Sequence, residues 1–373
     1  MSPKKILIFS TAYLPLIGGA EISVKEITDR LGDEIEFDLI TARIRRNFPK
    51  IERVGKVTVY RIGIGFELLD KLLVPFLGAV KAIQLNRVRN YSCFWCIMAS
   101  FASGAAYIAN WFQKKVPIVL TLQEGDSEQW LRYRWFGLLD LSWRMALKRT
   151  AHLTGLSNYL LERGRRLGYR GPMTLVPNGV DVGKFSASNS QFSKNSNETI
   201  LITTSRLVEK NSVGDVIEAL KFLPENMKLR IIGTGVLEKN LKAKTKNLKL
   251  DNRIEFLGPI DNQKLPPYLH NADIFVRPSL SEGQGISFIE AMAAEVPVVA
   301  TPVGGIVDFL KDRETGLFCE VNNPKSIAEK VMEYINNPEL TEKIIRNAKE
   351  MVVQQYDWDL IAKEMKAKVF DKV

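Results

Sequence analysis

From Ile200 onward, short apolar runs alternate with stretches whose apolar positions recur at helical spacing. Ile200–Thr204, Lys228–Ile232, Ile254–Leu257, Ile274–Val276, Val298–Ala300 and Leu317–Cys319 read as strands. Residues 213–222, 236–246, 286–294, 305–311 and 324–336 read as helices between them. Strict alternation of this kind predicts an α/β domain with a parallel sheet, helices on both faces, and a ligand at the carboxyl ends of the strands. The first half repeats the pattern less cleanly. Strands are expected at 4–10, 36–41, 57–62, 93–98, 117–122, 152–156 and 173–176, with helices at 20–31 and 103–113. Residues 186–198 are polar and poor in apolar side chains, which is linker composition. The expected organisation is a Rossmann-like domain over 1–183, a linker over 184–199 and a second Rossmann-like domain over 200–356. The helical tail 357–373 has no strand of its own and is expected to pack back onto the first domain.

Charge changes this picture of two similar halves. The 373-residue chain carries a net +10. Residues 1–180 hold 26 Lys and Arg against 15 Asp and Glu, a net +11, so the remainder is close to neutral at −1. Five of the six tryptophans also lie in the basic half. Arg43, Arg45 and Arg46, with the run from Trp130 through Phe136 to Arg149, suit an anionic membrane surface, where basic residues and Trp both gain. An ordinary helix with a basic exposed side accounts for the same run equally well. No helix-turn-helix, RRM or OB pattern accompanies the charge, so nucleic acid is not expected as a partner.

Three cysteines do not make a disulfide framework, and a reducing, cytoplasmic setting is expected. Cys93 and Cys96 fall inside an apolar run and read as buried strand residues rather than a redox pair. The basic, then apolar, N-terminus breaks too soon and lacks a small-residue cleavage site, so it reads as a first strand rather than a secretory signal. Residues 90–113 contain no charge, but Ser92, Ser100, Ser103, Gly104 and Asn110 interrupt them; a strand, turn and helix are expected there rather than a membrane span.

The most informative stretch runs from Ser279 to Ala294. It follows a strand and Pro278, passes through Glu282-Gly-Gln-Gly285, and opens a helix near Ile286. Gly283 and Gly285 allow close backbone approach, and the helix start offers free N–H groups to an anion. Glu282 and Glu290 are placed to accept hydrogen bonds from the hydroxyls of one polar ligand, although a glycine-rich turn followed by a solvated helix would show the same spacing. Upstream, Arg206 and Lys210 follow the first strand of the second domain, where such a sheet receives its ligand. A planar fork and a compact charge together suit a pyrophosphate. Gly233, in Ile231-Ile-Gly-Thr-Gly235, marks a turn at the end of the next strand.

With these motifs the chain resembles the retaining glycosyltransferases of the group 1, family 4 type, which have the two-domain GT-B fold. The resemblance covers nearly the whole chain. It is carried by Glu282-x7-Glu290, Ser205-Arg-Leu-Val-Glu-Lys210, Ile231–Gly235, Phe256-Leu-Gly-Pro-Ile260 and Ala300-Thr-Pro-Val-Gly-Gly305. In the first half, Tyr13-Leu-Pro-Leu-Ile-Gly-Gly-Ala-Glu21 and Val176-Pro-Asn-Gly-Val-Asp181 match as well.

The resemblance implies two domains facing across a cleft, an acceptor side in the first and a nucleotide-sugar side in the second. Arg206 and Lys210 would hold the donor diphosphate, Glu282 hydroxyls of the transferred sugar, and Glu290 the ribose. Amides from Gly285 through Ile286 to Ser287 would contact sugar and phosphate, the base would sit near Gly258, Ile260 and Leu265, and Gly18 and Gly19 would close over the phosphates. The donor would be a UDP- or GDP-linked sugar, a hexose by preference, and the acceptor a glycan or lipid-linked hydroxyl in cell-surface glycan, polysaccharide or glycolipid synthesis. The terminal helix around Trp358 would cross back to the first domain. No cofactor and no catalytic metal are expected, so Asp357-Trp-Asp359, which spells a metal-binding Asp-x-Asp, reads as a helix start. A sugar phosphorylase or sugar-nucleotide epimerase would share the fold.

Two departures stand out. The family lysine usually lies five residues after the arginine; that position is Asn211, with Lys210 one earlier. Relatives also carry a His after the strand near 117–122, where this chain has Thr121-Leu-Gln-Glu-Gly-Asp126. Gln123, Glu124 and Asp126 are therefore the acceptor-side candidates. His152 and His270 are expected to be structural.

Overall fold

A computed structural model describes residues 3–16, 18–113, 116–125, 138–187 and 197–373. The chain divides into two compact units, Met1–Asn178 with Trp358–Val373, and Gly179–Asp357.

The first unit is built on an eight-stranded sheet of order β3-β4-β2-β1-β5-β6-β7-β8. Its strands are β1 (Lys4–Phe9), β2 (Ile35–Ala42), β3 (Ile51–Val54), β4 (Val57–Ile62), β5 (Cys93–Ile97), β6 (Ile118–Leu122), β7 (His152–Gly155) and β8 (Met173–Leu175). All neighbours are parallel except β3, which pairs antiparallel with β4 at the edge. The central strands are apolar on both faces because helices cover both, and β1, β5 and β6 are buried almost throughout. Cys93 and Cys96 are buried and unbonded in β5. An odd separation sends them to opposite faces of the sheet, so they cannot meet.

The helix Glu67–Arg89 was not evident from the apolar pattern. Its inner side, with Val74, Gly78, Ala79 and Ala82, packs against the small residues Ala102, Ala105, Ala106 and Ala109 of the helix Phe101–Phe112. Its outer side is apolar too, so no helical periodicity shows, and Pro75 interrupts it. The tail, helix Trp358–Lys368, lies on the helix Gly19–Leu31. Trp358 is buried, Arg30 is paired with Asp359, and Phe370 meets Trp95 edge-on at 5.2 Å. Asp359 thus joins two helices of one unit, and among the described residues no cluster of three or more His, Cys, Asp or Glu could hold a metal ion. No helix of the described residues is long and apolar enough to cross a membrane.

The second unit has a six-stranded parallel sheet of order β11-β10-β9-β12-β13-β14. The strands are β9 (Thr199–Thr204), β10 (Met227–Ile232), β11 (Ile254–Gly258), β12 (Ile274–Arg277), β13 (Val298–Ala300) and β14 (Leu317–Phe318). This unit begins earlier than the expected linker. The amide of Val180 donates to the carbonyl of Tyr356 at 2.7 Å, and Phe185 is buried in the unit's core from the short helix Val182–Ser186. The order reverses between β9 and β12: β10 and β11 lie outward of β9, and β13 and β14 outward of β12. At such a switch point the loops leaving the two strands diverge and leave room for a ligand.

Candidate active site

The loops after β9 and β12 carry the residues singled out from sequence, and they are tied together by the backbone. Leu280 donates its amide to the carbonyl of Lys210 at 2.7 Å, joining the two loops. Ser205 and Leu207 donate to Ile232 and Thr234, fastening the first loop to the turn after β10. The Gly233 requirement arises there: a Cβ would sit 1.9 Å from the carbonyl oxygen of Ser205, at φ +129°. The close approach at this glycine is to the protein's own Arg206 loop. Gly305 likewise donates to the carbonyl of Glu282 at 3.1 Å, so the Ala300–Gly305 motif clamps the Glu282 loop from behind.

At the centre lies Arg277, the last residue of β12, which sequence inspection passed over. It is 7% exposed, and its guanidinium donates to Ser287 Oγ (2.7 Å), Ser279 Oγ (3.2 Å), Asn211 Oδ1 (3.3 Å) and the carboxylate of Glu282. It also lies 4.8 Å over the ring of Phe288. Burial, then the nearby Arg206 charge, lowers its pKa to about 10, against an opposing pull from Glu290. Glu282 accepts the Gly283 amide at 3.0 Å through its other oxygen. Gly285, at φ +87°, turns the chain into the helix Ile286–Ala293, and a Cβ there would meet the Phe288 ring at 2.5 Å.

Glu290, one turn into that helix, is 5% exposed. Burial raises its pKa to about 7, although a hydrogen bond from Asn262 and the charges of Lys184 and Arg277 oppose the rise. Asn262 Nδ2 donates to Glu290 Oε1 at 2.6 Å, and Lys184 Nζ donates to Asn262 Oδ1 at 2.6 Å. Lys184 and Asn262 lie far from Glu290 in sequence, and only the fold brings them together around this carboxylate. Gly258 ends β11 at φ +68°, with open space beside it; Leu265 is buried and Ile260 half-buried against the same core.

Arg206 is exposed, and among the described residues its guanidinium has no hydrogen-bond acceptor. Asn211, not Lys210, is the residue turned inward. It is 3% exposed and its Nδ2 donates to the carbonyl of Arg206 at 2.7 Å, while Lys210 is half-buried in the same short turn, Glu209–Asn211.

In the first unit, Gly18 and Gly19 open the helix that follows β1; a Cβ on Gly18 would meet the Glu21 carboxylate, whereas Gly19 faces open space. Glu124, after β6, turns its carboxylate toward the backbone, accepting the amides of Ala99 (2.8 Å) and Gln123 (3.0 Å). Burial raises its pKa against the pull of these amides and Arg163. Gln123 Nε2 is buried and has no hydrogen-bond partner among the described residues. Asp126 and the Trp130–Phe136 run lie outside the described residues. His152 Nε2 meets Thr174 Oγ1 at 2.8 Å between β7 and β8.

Two parallel-sheet Rossmann-like units with an anion-suited loop pair at the switch point of the second define a GT-B protein. Comparisons carry this further. The family described as "Glycosyl transferases group 1" matches residues 185–351, and "Glycosyltransferase Family 4" matches residues 17–184. The chain is 26% identical to the alpha-monoglucosyldiacylglycerol synthase of Acholeplasma laidlawii over 99% of its own length and 97% of that protein's. It is 31% identical to the N-acetyl-alpha-D-glucosaminyl L-malate synthase of Bacillus anthracis over 47% of this chain and 46% of the other. Among solved structures, sucrose-phosphate synthase from Thermosynechococcus elongatus superposes with a TM-score of 0.84 at 19% identity, covering 99% and 98% of the two chains. Anabaena HepE in complex with UDP and glucose gives 0.81 at 20% identity, covering 99% and 100%. The chain belongs to the group 1 glycosyltransferases of GT-B fold and is an enzyme of that class.

Proposed function

We propose that the enzyme transfers a sugar, a hexose by preference, from a nucleoside-diphosphate sugar to a lipid-linked or glycan hydroxyl with retention at the anomeric carbon. The observation that carries the donor reading is the grouping, at one switch point, of an exposed Arg206, the N-terminus of helix Ile286–Ala293, and the two carboxylates Glu282 and Glu290. Cations and a helix start suit a diphosphate, and carboxylates, Glu282 half-buried and Glu290 buried, suit hydroxyls of sugar and ribose. Bond breaking leads. The departing diphosphate is neutralised by Arg206, with Lys210 beside it, and its oxygen serves as base for the incoming hydroxyl. UDP-glucose is the first donor to test, given the UDP and glucose held by HepE.

The acceptor reading draws on the glucosyldiacylglycerol synthase relative and on the first unit's surface. Leu69, Leu72, Leu73, Phe76, Leu77 and Val80 form an exposed apolar stripe along one side of helix Glu67–Arg89. Arg46 lies over Phe66 at 4.4 Å, and Arg45 pairs with Phe66 through the backbone, so cations flank the stripe's start. An apolar stripe edged with arginine fits an anionic bilayer at the cytoplasmic side, where each basic residue adds about 1 kcal/mol.

The test is a melting-shift screen against nucleoside diphosphates and their sugars, followed by NMR of the product's anomeric configuration with a diacylglycerol acceptor. Inversion would refute retention. Orthophosphate-dependent cleavage, or a changed sugar nucleotide formed without acceptor, would refute transfer.

A further inference from the structure

Asn211 stands where the family's lysine is expected, and the buried side of the Arg206 turn therefore carries a neutral amide, with Lys210 one residue earlier and half-buried. Arg277 is the side chain that fills this place. Its Nη2 reaches Asn211 Oδ1 at 3.3 Å, and Asn211 in turn holds the carbonyl of Arg206 at 2.7 Å. Asn211 thus links the Arg277 guanidinium to the Arg206 backbone, and the Arg206 charge, after burial, lowers the pKa of Arg277, a repulsion between like charges. Among the described residues, no carboxylate pairs with Arg206 to relieve that repulsion. A like-charged pair at a strand switch point, with one member exposed, is relieved by an anion between or beside them.

We propose that Arg277 serves in place of a lysine at 211: it adds a buried positive charge to those of Arg206 and Lys210 at the diphosphate site and positions Glu282 and Ser287 around it. The inference rests on the donor reading above. Geometry explains the substitution pattern. A guanidinium on β12 can hold Glu282, Ser287 and Ser279 at once, which an ammonium at 211 could not. With Arg277 in place, a lysine at 211 would put a second cation against its Nη2, and the neutral amide accepts that N–H instead. Asn211 and Arg277 thus form one unit, and each accounts for the other.

The experiment measures binding of UDP, GDP and ADP, with melting temperature, for the wild type, Arg277→Met, Arg277→Lys, Asn211→Lys and the double variant Asn211→Lys/Arg277→Met. Arg277→Met should weaken the nucleotide that the wild type binds by about 30-fold or more, the scale for losing one partner of a buried charge pair. Arg277→Lys should fall between the two. Asn211→Lys alone should lower the melting temperature. In the double variant the new lysine should recover about tenfold in affinity over Arg277→Met, a coupling that a scaffolding role would not produce.

Wild-type affinity in Arg277→Met overturns the proposal. So does a loss that neither lysine relieves in folded protein. If Arg277→Met shows no cooperative melting, Arg277→Gln, which keeps donors without charge, replaces it with the same outcomes. A wild type that binds none of the three nucleotides overturns the donor reading itself, and this inference with it.

Discussion

Glu290 offers a prediction in which stability and function pull in opposite directions. Its carboxyl is buried, and its pKa rises from 4.5 to about 7. In the unfolded chain it ionises near its ordinary value, so between the two values the native state holds a proton that the unfolded state has lost. Stability contributed by this group therefore falls as pH rises from about 4.5 to about 7, and the full penalty persists above that. The shift corresponds to about 3 kcal/mol. Glu290→Gln keeps the oxygen that accepts from Asn262 and cannot ionise. The variant should be close to the wild type in urea denaturation at about pH 5, and more stable by about 2–3 kcal/mol at about pH 8. Comparison belongs to the transition of the second unit, since two units need not unfold together. The same variant should bind nucleotide about tenfold to a hundredfold more weakly at the higher pH, because a charged acceptor for ribose has been lost. A stability difference that does not change with pH would refute the argument. So would an undiminished affinity, because the carboxylate would then have no use for its cost.

Further predictions follow from other parts of the site. Arg206→Ala should lower kcat by about 10²–10³ with an unchanged melting temperature, as the side chain is exposed; normal turnover in steady-state kinetics would sink its assignment. Gly233→Ala should destabilise the second unit by about 1–3 kcal/mol or more and disturb the Arg206 loop, since a Cβ would strike the Ser205 carbonyl; calorimetry showing a wild-type melt would contradict the packing. Asn262→Ala leaves Glu290 without its donor, so a titration of nucleotide binding against pH should show an apparent pKa shifted upward; an unmoved profile would remove Asn262 from the site. Leu72→Asp with Phe76→Asp should abolish sedimentation with anionic vesicles while leaving nucleotide affinity intact; retained sedimentation would move the membrane contact elsewhere.

What could be read from the sequence, and what could not, divides along physical lines. The parallel strands of both units were legible because burial on two faces leaves continuous apolar runs, and β9 to β14 fall within a residue or two of expectation. Helix Glu67–Arg89 was not, because its exposed side is as apolar as its buried one; periodicity reports the contrast between sides, and here there is little. Helix Pro338–Gln355 was missed for another reason. Only Ile344, Ala348 and Val352 are buried along it, too thin a stripe to stand out among its charges.

The site shows the same division one level up. Glu282 could be named because it sits in a glycine-marked loop, Glu290 because it follows in the helix that loop opens, and Arg206 because it leaves the first strand of the unit, where such a sheet receives its ligand. The partners that set their chemistry could not. Arg277 looks like the end of a strand, Asn262 like part of a short turn, and Lys184 like linker; each gains meaning only from a contact across 5 to 78 residues of sequence. Asn211 is the instructive case, since it reads alone as a lost lysine. Set against Arg277 it becomes the acceptor for a cation that approaches from another strand. On the role proposed for Arg277, a positive charge for the diphosphate comes from the end of β12 rather than from position 211, so a family position changes identity while the charge it served stays in place.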